Sequence, residues 1–429
     1  MNRQLMHPRD LLVMIMARIY KFGMTTTSGG NLSIKDENGD VWITPSAIDK
    51  GSLTARDIVC VKADGSFEGI HKPSSEYPFH LAIYKERPDL KAVVHAHPPA
   101  LVSFSIVRKI PDTKIIPQAH HVCGPVGYAT YELPGSEALG KSIANIFSSG
   151  FNVVIMENHG TVVGGEDIFT AYQRFETLEF CARTIINANS IGKVKFLSEE
   201  QALMMKRNDN MLPELSNYTS GTYEKELRQE VVKVARRAYE QRLIISTYGT
   251  FSARLSKDDF LITPYGKDRY YLELEEIVLI SNGKREPGKL PSRSVRLHHR
   301  IYQEHPDINA IISAQSPNAT AYCVTGKKMD TRTIPESYIL LRDIPLIPYG
   351  DQFQEGREIS QQVSKVAPIL LLENDSMLVT GGSLLETFDR LEVAEFSAGS
   401  LTQSYHLGDL VPINEKEISD LKSKFNLEG

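Results

Sequence analysis

The sequence predicts an α/β protein made of two tandem layered α/β/α domains, and three observations carry that expectation. Short apolar runs suited to strands are interspersed with longer segments of helical spacing, as in a layered α/β architecture. A set of short motifs recurs once along the chain in the same order, which marks an internal repeat. The length of 429 residues exceeds one typical domain and suits two or three.

The elements follow in order. Pro8 suits a first helical turn, Leu11, Leu12, Ile15 and Ile19 share one face, and Gly23 can end the helix. A glycine turn with small polar residues, 25–31 (TTTSGGN), leads to strands around 32–34 and 41–44. After Pro78 the segment 79–87 has helical spacing, and Pro88 stops it. Ala92-Val93-Val94 then reads as a strand running into His95-Ala96-His97. The spacing predicts a helix over 136–147, a buried strand over 153–156, a turn at Gly164-Gly165 and a long helix over 167–187. Residues 197–222 turn polar and irregular and read as a linker between domains 1–196 and 223–429. Trp42 and the Val/Ile runs read as core, and His71 as a solvated loop residue.

Composition narrows the function classes. Hydrophobic content of 41% and charged content of 24% are those of a globular protein with a full core. A net charge of −5 and a pI near 6.2 give no general attraction to nucleic acid or anionic membrane. Cys60, Cys123, Cys181 and Cys323 have no paired spacing and fit a reduced compartment. The apolar run 11–17 is too short to span a bilayer and carries no cleavage signal, so a cytoplasmic location is expected.

Beyond residue 222 the pattern restarts. Gly30-Asn31-Leu32-Ser33 matches Gly249-Thr250-Phe251-Ser252, Thr44-Pro45 matches Thr263-Pro264, and Pro73-Ser74 matches Pro291-Ser292. Val162-Val163-Gly164-Gly165 matches Val379-Thr380-Gly381-Gly382. The second copy has lost chemistry: Glu76 becomes Ser294, His95 becomes Ser313, His97 becomes Gln315, and His159 becomes Asp375. These positions depart together while scaffold residues persist, which marks Glu76, His95, His97 and His159 as a unit. His80 is retained as His298 and so reads as scaffold.

The stretch 72–98 (KPSSEYPFHLAIYKERPDLKAVVHAHP) concentrates that unit. In a strand, residues i and i+2 face the same side about 6–7 Å apart, so two imidazoles leave one face together. Zinc takes nitrogen and carboxylate ligands and, at catalytic sites, keeps a position for substrate. A buried histidine pair held by backbone carbonyls has the same local pattern. The upstream Ser74-Ser75-Glu76 element favours a metal. Taken singly, Ser28, Ser46, Ser74 and Ser75 are ordinary turn and cap residues, and Asn31 after two glycines can simply hold a left-handed turn.

The motifs SGGNLS (28–33), ITPSAI (43–48), KPSSEYPFHLAIY (72–84), VVHAHP (93–98) and ENHG (157–160) together resemble the class II aldolase/adducin family, and within it the L-fuculose phosphate aldolases. The resemblance spans most of residues 8–190, and the second copy resembles the same fold with its site erased, as in the adducin head domain. It implies two class II aldolase-like layered domains, with His95, His97, His159 and Glu76 as Zn²⁺ ligands. Glu76 is then also the acid/base, and Ser28, Gly30, Asn31, Ser46, Ser74 and Ser75 line a phosphate and enediolate site. The implied reaction cleaves a ketose phosphate to dihydroxyacetone phosphate and an aldehyde. Such chemistry needs an electron sink, a base and an anion anchor, which zinc, a carboxylate and glycine-turn N–H groups can supply.

One departure concerns a tyrosine that the family donates across a subunit boundary. The corresponding segment reads IIPQAHHVCGPVGY, with His121 nearest that position, His120 beside it and Tyr128 further on. The second copy has Tyr338 at the matching place, so His121 and Tyr338 are both candidate proton donors. The resemblance implies a homo-oligomer, either a dimer closing a four-domain ring or a larger assembly. Alternatives on the same fold are a pentulose-phosphate 4-epimerase, which typically has Asp in place of Glu76, a dehydratase or a decarboxylase. A zinc-free, adducin-like interaction protein is a further alternative.

Overall fold

A computed structural model describes residues 5–207, 212–216 and 218–427. The chain divides into two units, Met1–Thr113 with Ala119–Arg183, and Lys114–Gln118 with Thr184–Gly429. Each carries one eight-stranded sheet.

The first sheet is built from β1 (Asn31–Lys35), β2 (Val41–Ile43), β3 (Val59–Val61), β4 (Phe67–Glu68), β5 (Ala92–Ala96), β6 (Gly127–Ala129), β7 (Val153–Met156) and β8 (Gly160–Gly165). Its order is β4-β3-β2-β1-β5-β8-β7-β6, so β5 lies centrally between β1 and β8. All pairs are antiparallel except β6–β7. The helices in residues 8–191 are α1 (Pro8–Lys21), α2 (Tyr77–Glu86), α3 (Pro99–Ile106), α4 (Pro117–Cys123), α5 (Glu137–Ser148) and α6 (Ile168–Ile191), of which α4 and α6 include residues of both units.

Local chemistry explains the boundaries. Ser136 accepts from Leu139 N and caps α5, leaving Leu139, Ile143 and Phe147 on one buried face. Those residues pack with Phe79, Ile83 and Tyr84 of α2 and with Val93, Val154 and Val162 of the sheet. Burying side chains of this kind contributes about 1.5–3 kcal/mol each. Strand alternation then puts His95 on the face of Val93, toward α2, and its ring meets Phe79 edge-on at 5.5 Å. Glu179 of α6 accepts from Ala100 N and Leu101 N, so a buried carboxylate fixes the first turn of α3 just past His97.

The second unit repeats this plan. Its strands are β9 (Thr250–Arg254), β10 (Asp259–Ile262), β11 (Val278–Ser281), β12 (Lys284–Arg285), β13 (Ala310–Ala314), β14 (Leu346–Ile347), β15 (Ile369–Leu372) and β16 (Met377–Gly381). They lie in the equivalent order, β12-β11-β10-β9-β13-β16-β15-β14. The helices are α7 (Glu199–Leu203), α8 (Thr222–Glu240), α9 (Val295–Glu304), α10 (Pro317–Thr325), α11 (Pro335–Leu341), α12 (Arg357–Gln362), α13 (Leu384–Ser404) and α14 (Glu415–Phe425). Glu395 of α13 caps α10 through Asn318 N and Ala319 N, as Glu179 caps α3.

The structure departs from the sequence expectation at four places. Gly164 and Gly165 end a central strand and form no turn; a Cβ on Gly165 would lie 2.4 Å from Ala171 N, so close helix approach requires the glycine. The strand match shifts by one residue: β5–β8 pairs Ala92 with Gly165, and β13–β16 pairs Ala310 with Gly381, so Gly165 corresponds to Gly381. The polar stretch after 196 contains α7, opened by a capping box between Ser198 and Gln201, while 208–211 and 217 lie outside the described residues. Trp42 is only half-buried, with Nε1 donating to Asp36 and Arg9 over its ring at 4.7 Å.

Candidate active site

The site forms where β5, β1, the start of α2 and the β7–β8 turn meet. His95 is fully buried at the end of β5, and His97 follows two residues later. His159 enters from the turn between β7 and β8, where Asn158 adopts φ +52. Glu157 in that turn is held by Arg108 Nε at 2.7 Å. The His95–His97, His95–His159 and His97–His159 ring centroids lie 4.8, 4.9 and 5.1 Å apart.

Hydrogen bonding orients these groups. His95 Nδ1 faces the Thr161 carbonyl at 2.9 Å, and a carbonyl can only accept, so Nδ1 carries a proton and Nε2 is the ring nitrogen turned toward the cluster. That Nε2 lies 3.1 Å from His97 Nε2 and 3.2 Å from Glu76 Oε2. His159 Nε2 lies 3.4 Å from Glu76 Oε1. Burial lowers His97 to about 3 and His159 to about 4, with neighbouring imidazoles adding to the shift. Both rings are therefore neutral near pH 7, the form that ligates metal. Burial opposes ionisation of Glu76, but His95, His159 and the Asn31 amide outweigh it and hold the carboxyl well below the usual carboxylate range.

Glu76 is the N-cap residue of α2, and its side chain is anchored by a buried chain of hydrogen bonds. Asn31 Nδ2 donates to Glu76 Oε2 at 2.7 Å, which leaves Asn31 Oδ1 to accept from His80 Nε2 at 2.5 Å. Burial drives His80 down to about 3, so it is neutral and its Nδ1 accepts from Ser33 Oγ at 2.7 Å. Ser33 Oγ in turn accepts from Tyr84 OH at 2.7 Å. His80 is thus scaffold, as its retention suggests, and it also sets the direction of Asn31.

Three loops converge beside this cluster. Gly30 has φ +72, and a Cβ there would lie 2.6 Å from the His95 carbonyl oxygen, so only glycine fits. A bridge between Pro45 and Pro73 joins the segments carrying Ser46 and Ser74, and Ser74 Oγ accepts from Glu76 N. Ser28 and Ser75 are exposed, Ser46 is half-buried, and Ser74 is buried. Lys50 was not legible as a site-supporting residue from sequence. It is 2% exposed, its N–H donates to the Thr27 carbonyl, and its Nζ donates to the Pro45 carbonyl at 2.6 Å, tying two of the loops together. Burial lowers its pKa to about 8. The available signal was Arg269 at the matching position, whose guanidinium donates to the Gly249, Pro264 and Lys267 carbonyls.

The structure therefore brings together Glu76, His95, His97, His159 and Asn31. His71 is partly buried and lies 2.9 Å from Asp57, not freely solvated. His121 is exposed on α4, outside the histidine cluster, and Tyr338 is half-buried on α11 with Arg342 over its ring at 5.2 Å. Nδ1 or Nε2 atoms of the three histidines all lie within 4.8 Å of one another and can hold a metal ion. Glu76 Oε1 is buried beside them without a hydrogen-bond partner, as suits a carboxylate oxygen reserved for a cation. Donor set and geometry fit a divalent metal.

An α/β unit with a three-imidazole, one-carboxylate cluster beside glycine and serine loops presents a site able to hold a metal ion. The chain belongs to the family described as Class II Aldolase and Adducin N-terminal domain, which matches it twice, over residues 10–186 and 229–401. It is similar to the 3-oxo-tetronate 4-phosphate decarboxylase of Haemophilus influenzae, 30% identical over 197 residues, 45% of this chain and 93% of the relative. It is 34% identical over 200 residues to the 5-deoxy-D-ribulose 1-phosphate aldolase of Bacillus thuringiensis serovar kurstaki, covering 45% of this chain and 91% of that protein. It is 36% identical over 158 residues to the L-fuculose phosphate aldolase of Methanococcus maripaludis, covering 36% of this chain and 83% of that one. Among the described residues, no helix is long and apolar enough to cross a membrane.

Proposed function

We propose that the chain is a zinc-dependent cytoplasmic lyase, an aldolase that splits a ketose phosphate into dihydroxyacetone phosphate and an aldehyde. Residues 1–196 are its catalytic domain, 223–429 its metal-free counterpart, and the chain works as a homo-oligomer. The observation that carries this reading is the placement of Glu76 against His95 and His159 of the three-imidazole cluster, with one oxygen anchored by Asn31 and the other, 3.4 Å from His159 Nε2, accepting no hydrogen bond. Zinc held by His95, His97, His159 and Glu76 would supply an electron sink for the charge that develops at the substrate carbonyl. Glu76 takes the C4 hydroxyl proton as the C3–C4 bond breaks and C4 becomes the aldehyde carbon, then returns the proton to C3, while Asn31 keeps the carboxylate aimed. Ser28, Gly30, Asn31, Ser46, Ser74 and Ser75 hold the phosphate through hydroxyls and backbone N–H groups, with Lys50 bracing the loops from beneath. His121, or Tyr338 across a subunit boundary, positions the aldehyde end by donating a hydrogen bond to its oxygen.

A second reading is decarboxylation of a phosphorylated oxo acid, favoured by the similarity to the Haemophilus decarboxylase over 93% of that protein. Both reactions break a carbon–carbon bond and leave an electron pair next to a carbonyl, so the same sink and proton donor serve either. Zinc-loaded full-length protein is incubated with dihydroxyacetone phosphate in D₂O and, separately, with 3-oxo-tetronate 4-phosphate. Exchange of the C3 proton without added aldehyde supports the aldolase. Release of carbon dioxide without exchange transfers the assignment to the decarboxylase, and neither event overturns both. His121→Phe and Tyr338→Phe, assayed for cleavage and proton exchange, identify the donor as the residue whose loss slows cleavage and spares exchange.

A further inference from the structure

The second unit keeps a cluster of buried polar side chains at the place where the first holds its histidines. Gln315 follows β13 and Asp375 precedes β16, immediately beyond the Ala314–Met377 pair, at the positions of His97 and His159. Asp375 is 4% exposed; its Oδ1 accepts from Gln118 Nε2 at 2.7 Å, and Oδ2 accepts from Ser376 Oγ at 3.1 Å. Arg293 stands at the position of Ser75, with Nη2 3.6 Å from Asp375 Oδ1 and its guanidinium 5.0 Å from the Phe353 ring centroid. Gln118, in the five-residue stretch that belongs to this unit, and Gln315 are each 6% exposed.

Three polar atoms here are buried without a hydrogen-bond partner: Gln118 Oε1, Gln315 Oε1 and Arg293 Nη1. Unpaired buried polar groups are costly, and apolar replacements would have removed the cost once metal binding was lost. The cluster instead holds two acceptors and one cationic donor around a carboxylate. The set does not suit a metal, and the histidine cluster of the first unit is the one group of three or more potential ligands found among the described residues. It suits a ligand that donates hydroxyl protons to the amide oxygens and offers an anionic oxygen to the guanidinium.

We propose that the second unit is a metal-independent binding site for a small hydroxylated anion, the chemistry shared by sugar phosphates and sugar acids. Arg293 takes the anionic group, and Gln118 and Gln315 take hydroxyls. The proposal is independent of which reaction the first unit performs.

The test is equilibrium binding of glycerol 3-phosphate and of D-glycerate to the metal-stripped full chain, followed by ligand-observed NMR and calorimetry. A binding event that weakens at least tenfold in Arg293→Met and in Gln315→Leu, and persists in Glu76→Gln, is expected. The preferred probe tells a phosphate-bearing ligand from a carboxylate-bearing one. Gln315→Leu replaces the unpaired amide by an apolar group of similar size, so it keeps the test valid if Arg293→Met fails to fold. No binding by the wild-type chain, or equal binding in a folded Gln315→Leu, overturns the proposal.

Discussion

The two units keep the same internal brace and differ in what it holds. In the first, Tyr84, Ser33 and His80 lead to Asn31 and so to Glu76. In the second, Tyr302, Ser252 and His298 repeat the first three members, with Ser252 Oγ 2.8 Å from both His298 Nδ1 and Tyr302 OH. There His298 Nε2 meets Ser313 Oγ at 3.1 Å, at the position of His95, and the chain stops. The brace therefore belongs to the fold, where it satisfies a buried imidazole, and the first unit extends it into the site through two residues. Losing Asn31 and Glu76 to Thr250 and Ser294 removed the chemistry without leaving His298 unpaired.

The largest expected effect separates the units outright. Glu76→Gln should lower turnover by about 10²–10⁴ or more, because proton transfer is lost. Ser294→Ala at the matching position should leave turnover unchanged, and steady-state kinetics on both variants check the contrast. Next, metal analysis should find about one zinc per chain, and His97→Ala should remove it. Two tightly held ions per chain would break the contrast, since the second unit offers Gln315 and Ser313 where the first offers histidines.

A smaller effect sharpens the account of the brace. Asn31→Ala leaves Glu76 Oε2 and His80 Nε2 without a shared partner, and should cost about 1–3 kcal/mol in urea unfolding as well as turnover. Thr250→Ala, whose hydroxyl lies 2.5 Å from Ser292 Oγ and takes no part in holding His298, should cost less.

The smallest effect concerns the buried cation beneath the loops, Lys50 in one unit and Arg269 in the other. Burial lowers Lys50 from 10.5 to about 8, so between those values the folded state binds fewer protons than the unfolded state. Stability therefore rises with pH across that window, and the burden on folding is fully present below it. Lys50→Met should lack this rise, and denaturation midpoints at neutral pH and inside the window measure the difference. Lys50→Arg should restore the carbonyl contacts that Arg269 makes and stay charged throughout.

Several elements were legible because their signals are local. Pro8, Ser136 and Pro88 bound helices through capping and backbone sterics, and the i, i+2 spacing of His95 and His97 put both rings on one face. The replacement of Glu76, His95, His97 and His159 in the second copy tied distant residues into one set, and the structure brings all four within reach of a single centre. The strand β8 escaped because glycines at its end carry a turn's composition, while the true reason for them is the helix packed against them.

By itself the sequence determined the duplication, the α/β class and the identity of the four groups gathered at the site, since periodicity, capping and internal repetition are properties of the linear chain. Tertiary structure decided how those groups are aimed. The pairing of Asn31 with His95 across β1 and β5 sets the glycine turn against the histidine strand. The Tyr84–Ser33–His80–Asn31 chain and the hold of Lys50 on the Thr27 and Pro45 carbonyls likewise join residues far apart in sequence. Such contacts arise when buried donors and acceptors find partners across packed elements, and no pattern along one strand or helix encodes which partner is found.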